Sequence, residues 1–138
     1  MNNQELIENA IKARENAYAP YSHYTVGAAV LTKDGQVYTG CNIENASYGA
    51  TNCGERTAIF KAVSEGHKEM VKIAIVGGKE NEEIKEYAYP CGVCRQVMAE
   101  FCNPKEMTIL IAKSGADYIE KKLDEILPLQ FGGDLWNI

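Results

Sequence analysis

Histidine is scarce in this chain: His23 and His67 are the only two among 138 residues, and their spacing is not that of a metal-ligating pair. That excludes the histidine-rich forms of zinc site. Basic residues are also few, 14 Lys and Arg against 19 Asp and Glu, for a net charge of −5. A nucleic-acid surface is usually basic, so a small, uncharged or weakly charged ligand is expected instead. No apolar run approaches the length of a membrane span. The start, Met1-Asn2-Asn3-Gln4-Glu5-Leu6, has neither a basic segment nor an apolar one. It does not read as a signal peptide, and a cytoplasmic location is expected. Five cysteines, an odd number without a secretion signal, make a disulfide framework a poor reading. The length suits one domain, residues 1–138, whose folding buries about two thirds of the unfolded surface.

What the chain does have is three cysteines and a glutamate in telling places. Thr51-Asn52-Cys53-Gly54-Glu55-Arg56 and Pro90-Cys91-Gly92-Val93-Cys94-Arg95 each precede an apolar, helix-forming run. The cysteines therefore lie at helix N-termini, where unpaired N–H groups and the macrodipole favour thiolates. Cys91 and Cys94 are three apart, so one helical turn brings both sulfurs to one face. Three thiolates leave the fourth position of a tetrahedral zinc open, which is the catalytic form of the site. Glu55, two residues past Cys53, is close to the metal and free not to bind it. A Cys₃ zinc, a nearby glutamate that is not a ligand, and a later Pro-Cys-x-x-Cys together form the pattern of zinc-dependent deaminases. The competing reading of Glu55 is a capping box with Asn52.

In chain order, Leu6, Ile7, Ala10, Ile11 and Ala17 mark one apolar face of a helix over residues 4–19, stopped before Pro20. Residues 25–31 and 36–41 read as a hairpin turned by Lys33-Asp34-Gly35. Next, in extended backbone Asn42 and Glu44 share a face, and an amide beside a carboxylate suits vicinal hydroxyls. The first cysteine helix runs over 53–65 and stops at Gly66. A buried strand over 71–76 follows, then Gly77-Gly78 and an acidic, exposed segment over 79–89. The second cysteine helix ends near residues 102–104. Strands over 107–112 and 117–119 and a helical turn over 122–127 complete the order. The tail, with Phe131 and Trp136 among glycines, is expected to dock. Alternating strands and helices predict five strands with helices on both faces.

The sequence resembles the small, homotetrameric, three-cysteine cytidine deaminases along nearly its whole length. The resemblance runs through Tyr21-Ser22-x-Tyr24-x-Val26-Gly27-Ala28-Ala29, Gly40 to Gly49, Cys53 to Ala58, Pro90 to Val97 and Leu127 to Gly132. It implies a three-layer α/β/α sandwich on a mixed five-stranded sheet and one zinc ion per subunit on Cys53, Cys91 and Cys94. Glu55 would shuttle protons, and Asn42 and Glu44 would hold ribose hydroxyls. Tyr24 stands where the family has phenylalanine beside the nucleoside, and Gly54 where it has alanine, with a backbone role. Ala46 and Tyr48 would lie near a subunit junction, Phe131 would pack on the base in a neighbour's site, and Arg56 would hydrogen-bond a ligand sulfur. The implied reaction is hydrolytic deamination of cytidine and deoxycytidine in pyrimidine salvage, without nucleic-acid or membrane partners. Three other readings stand beside it: a deaminase of a modified nucleoside such as blasticidin S, a structural zinc module closed by Cys41 or Cys102, and thiol redox chemistry at Cys91 and Cys94.

Overall fold

The computed structural model describes residues 1–132. The expected docking of the tail at Trp136, and Gly133, lie outside the described residues. Five strands, β1 (Tyr24–Thr32), β2 (Val37–Cys41), β3 (Met70–Lys79), β4 (Thr108–Ser114) and β5 (Asp117–Lys122), form one sheet in the order β2-β1-β3-β4-β5. Neighbours run antiparallel except β3 and β4, which are parallel. A parallel pair needs a crossover, and α3 (Gly92–Glu100) supplies it. The mixed five-stranded sheet expected from sequence is therefore present.

Helices cover both faces of the sheet. α1 (Asn3–Arg14) packs Leu6, Ile7 and Ala10 against Ala29, Ala74, Val76 and Leu110. On the other face, α2 (Gly54–Ser64) and α3 pack Ala58, Ile59, Ala62 and Met98 against Ala28, Val30, Ile73, Ile75 and Ile109, and Leu123 of the short α4 (Leu123–Ile126) joins them. Burial on both sides explains why β3 reads as an almost unbroken apolar run rather than an alternation.

Two expected boundaries move. α1 ends at Arg14, not Ala19. The next residues turn tightly, and Tyr18 is taken up by a bridge to the segment after β2: its N–H donates to the Asn42 carbonyl, and the Glu44 N–H donates to the Tyr18 carbonyl. β3 does not stop before its glycines, because Val26 pairs with Gly77 and Thr25 with Gly78. The acidic segment after β3 is also not merely exposed. Ile84 packs on the α1-side core, and the Tyr87 hydroxyl donates to Asp117 at 2.6 Å while Lys113 lies over its ring. Among the described residues, no helix is long and apolar enough to cross a membrane.

Two glycines set the spacing between sheet and helices. A Cβ on Gly27 would lie 2.0 Å from the Ala10 carbonyl oxygen of α1, and one on Gly40 would lie 2.4 Å from the Ala58 nitrogen and 2.8 Å from the Gly54 oxygen of α2. Helix backbone cannot yield as a side chain can. Gly40→Ala is expected to push back the first turns of α2 and to cost about 1–3 kcal/mol of stability, the usual range for overpacking. Urea denaturation of the zinc-loaded variant measures this, and an unchanged midpoint would contradict the packing argument.

Candidate metal centre and active site

Both cysteine groups sit at the start of their helices because extended backbone delivers them there. Cys53 is the N-cap of α2 (φ −75, ψ 155) and Cys91 the N-cap of α3 (φ −69, ψ 165). Pro90 fixes extended backbone for the residue before it and leads directly into Cys91. Since α2 and α3 share one face of the sheet, their N-termini meet. Gly66, at φ +97, ends α2 where expected: its N–H reaches Val63 and the His67 N–H reaches Ala62.

The Cys53, Cys91 and Cys94 sulfurs all lie within 4.8 Å of one another. Cys53 Sγ is 3.9 Å from Cys91 Sγ, which is 3.4 Å from Cys94 Sγ. Tetrahedral zinc with Zn–S bonds near 2.3 Å places its sulfurs about 3.8 Å apart, so the donor set fits this ion. Among the described residues this is the one cluster of its kind, and neither Cys41 nor Cys102 belongs to it. Three protein ligands leave a coordination position for water or substrate. That geometry disfavours the closed structural zinc module.

The electrostatics follow from the placement. The Arg56 guanidinium donates to Cys53 Sγ at 3.2 Å, and the Cys94 N–H donates to Cys91 Sγ at 3.4 Å. Cys53 is lowered to about 5, chiefly by the Cys94 thiol beside it and then, against burial, by Arg56. Cys94 moves the other way, raised by its interaction with Cys53 and by burial. Glu55 is only 4% exposed. Burial pushes its carboxyl up to about 7, and the Cys53 charge adds to that push. The Cys94 side chain and Arg56 are close enough to pull it back down. Asn52 does not make a capping box with Glu55: its Nδ2 donates to the Thr57 hydroxyl at 3.1 Å, and Cys53 is the cap. Gly54 is buried, and an added Cβ would approach the Val26 Cγ1 at 3.1 Å, so alanine would fit after a shift of a few tenths of an ångström.

A second group lies beside this one, at the start of β1 and the end of β2. Asn42, 8% exposed, clamps β1: Oδ1 accepts from the Val26 N–H and Nδ2 donates to the Tyr24 carbonyl, both at 2.8 Å. One N–H and one lone pair of the amide are left for a ligand. Glu44 accepts from the N–H groups of Tyr21 and Ser22 and from the Ser22 hydroxyl. Ser22 lies within the Tyr21-Ser22-x-Tyr24 motif, but the sequence alone carries no signal of its bond to Glu44. The Tyr24 ring is half-buried, and its tip lies over Gly77, where an added Cβ would come within 3.1 Å of the hydroxyl oxygen. Ala46 and Tyr48 are exposed, Tyr48 at 83%. Phe131 is also exposed, and its carbonyl accepts from Gln96 Nε2 at 2.9 Å. His23 and His67 pair with Glu80 and Asp34, away from the sulfurs.

An open hollow of about 310 Å³ lined by Lys33, Asp34, Gly66, His67, Lys68 and Glu69 lies at the opposite end of β1, β3 and α2, remote from the sulfurs. Its charges are largely paired, Lys33 with Glu69 and His67 with Asp34.

The chain is similar to known proteins. Residues 1–111 match the family model described as the cytidine and deoxycytidylate deaminase zinc-binding region. The chain is 50% identical over 137 residues to the cytidine deaminase of Halalkalibacterium halodurans, covering 99% of each. The crystal structure of cytidine deaminase from Burkholderia pseudomallei matches with a TM-score of 0.85 at 44% identity, over 95% of this chain and 100% of that one. The blasticidin-S deaminase of Bacillus cereus is more distant, 30% identical over 92% of this chain and 90% of its own. With a three-cysteine site open at one position and a buried glutamate against it, the chain belongs to the cytidine and deoxycytidylate deaminase family.

Proposed function

We propose that the chain hydrolyses the amino group of cytidine and deoxycytidine, giving uridine or deoxyuridine and ammonia, as a step of pyrimidine salvage in the cytoplasm. The observation that carries this reading is the open three-sulfur cluster with Glu55 buried beside it. Cys53, Cys91 and Cys94 would hold one zinc ion, which when bound supplies a water nucleophile at neutral pH. Glu55 takes one proton of the attacking water and passes it to N3, then takes the remaining proton of the hydroxyl added at C4 and passes it to the amine, which leaves as ammonia while C4 becomes a carbonyl. Its burial supports this role, because a carboxyl raised towards neutrality can both accept and donate. Arg56 offsets part of the excess negative charge of three thiolates, helped by the two helix N-termini.

Asn42, Glu44 and Tyr24 form the side facing the sugar and base, with Glu44 and the remaining N–H of Asn42 directed to ribose hydroxyls. Gly54 offers backbone to the base. The distance of the blasticidin-S relative favours the plain nucleoside over a modified one. Thiol redox chemistry accounts for neither the third sulfur nor Glu55.

The chain acts as one domain, residues 1–138, within a homotetramer. Support comes from large apolar side chains left exposed, among them Tyr21, Ile43, Tyr48, Leu129 and Phe131. Phe131 would cover the base in a neighbour's site, and Ala46 and Tyr48 would line the junction between subunits. Sedimentation velocity is expected to give four chains per particle, and a monomer with full activity would remove the shared-site reading.

Glu55→Ala is expected to retain one zinc ion per chain by atomic emission, and an unchanged circular dichroism spectrum, while turnover of cytidine falls at least ~10²-fold to 10⁴-fold, as for loss of a general acid/base. Near-normal turnover in that variant would refute the proton-transfer role.

A further inference from the structure

We infer that Ser22 is a positioning residue for the sugar side of the site, locking the Glu44 carboxylate and the start of β1 in one geometry. The inference rests on the proposed reading of Glu44 as a ribose ligand. Ser22 Oγ donates to Glu44 Oε2 at 2.5 Å and accepts from the Tyr24 N–H at 3.1 Å. The hydroxyl has one proton, and the Tyr24 carbonyl, at 3.5 Å, is the poorer of its two acceptors. A single hydroxyl thereby joins the backbone of one proposed substrate contact to the side chain of another.

The rest of the loop is shaped for that bond. Glu44 Oε1 accepts from the Tyr21 and Ser22 N–H groups at 3.0 and 3.1 Å, so all three donors on this carboxylate come from two consecutive residues. His23 adopts φ +57, a conformation a non-glycine residue seldom holds, and this turn brings Ser22 Oγ back to the Tyr24 amide. The turn is pinned on both sides. The His23 N–H donates to the Ala19 carbonyl, and its own carbonyl accepts from the Glu80 N–H at 2.7 Å. From beyond Tyr24, Asn42 holds the Tyr24 carbonyl and the Val26 amide. The Ser22, Tyr24, Asn42 and Glu44 contacts therefore form one continuous network.

Glu44 stays partly exposed, and Oε2 keeps a lone pair beyond the one that Ser22 uses. Against the upward push of burial, the Ser22 hydroxyl and the two amides hold its carboxyl below the usual range. An ionised carboxylate of fixed direction is a strong acceptor for a sugar hydroxyl. Without the Ser22 hydroxyl, Oε1 would keep its two amides while Oε2 lost its orientation. The metal and Glu55 would be untouched, so the effect falls on binding the hydroxyl-bearing sugar.

The test compares cytidine with 2′,3′-dideoxycytidine, which lacks the 2′ and 3′ hydroxyls, in zinc-loaded full-length protein. In Ser22→Ala the KM for cytidine is expected to rise roughly tenfold, the loss of one hydrogen bond to a charged group, with kcat within about threefold. The inhibition constant of dideoxycytidine, measured as a competitor, should not move, and Ser22→Thr should restore the KM for cytidine. An unchanged KM, or an equal weakening of both ligands, overturns the inference. Glu44→Gln separates the two layers. If it leaves the KM for cytidine unaltered, the ribose reading and the Ser22 inference fall together; if it raises that KM while Ser22→Ala does not, only the Ser22 inference falls.

Discussion

Three sulfurs held within 4.8 Å of one another are the constraint on which the rest of the structure depends. Bringing thiolates that close is unfavourable, since two unit charges about 4 Å apart repel by roughly 4 kcal/mol at an effective dielectric of 20. The fold answers with positive potential from several directions. Cys53 and Cys91 cap two helices whose N-termini meet, the Cys94 N–H points at Cys91, and Arg56 reaches the Cys53 sulfur. A divalent cation completes the neutralisation to a net charge of −1. The glycine spacing serves the same end, because Gly40 allows the first turns of α2 to lie directly against β2 and fixes where Cys53 and Glu55 stand.

The sheet order gives the site its two sides. β1 lies between β2 and β3, so its first residues face the end of β2, which Asn42 and Glu44 follow, and the end of β3, which leads on to Cys91 and Cys94. The three sulfurs and the residues proposed to face the sugar are thus mounted at adjoining strand ends. Tyr24 lies between them, its ring over Gly77 and its backbone held by Ser22 and Asn42. The segment after β3 closes this region from one edge, with Ile84 in the core and Glu80 tied to His23.

The metal side was legible because its signals are local. Ligand spacing, a proline before Cys91 and a glycine after α2 all act within a turn or two of the residues they govern, and the ends of α2 agree with the expectation to one residue. Long-range pairing was less readable. The apolar pattern of α1 continues to Ala17, but the backbone at Tyr18 is claimed by the segment following β2, and helix yields to bridge. Gly77 and Gly78 look like a strand end in sequence, yet they extend β3 because β1 pairs with them. Alternation sets Asn42 and Glu44 on one face. Most of their hydrogen-bonding capacity is directed at backbone, which alternation does not reveal. Ser22 is illegible for the same reason, since its bonds depend on the positive φ of His23 and on a carboxylate 22 residues away.

Loaded with zinc, the three-cysteine centre deaminates cytidine. The most direct measurement follows the ultraviolet band of cytidine, with ammonia assayed in parallel, for zinc-loaded protein, for protein stripped by a chelator, and for stripped protein given zinc again. Conversion to uridine with equimolar ammonia is expected in the first, none in the second, and recovery in the third. An unchanged cytidine spectrum with protein shown to hold one zinc ion per chain would contradict it.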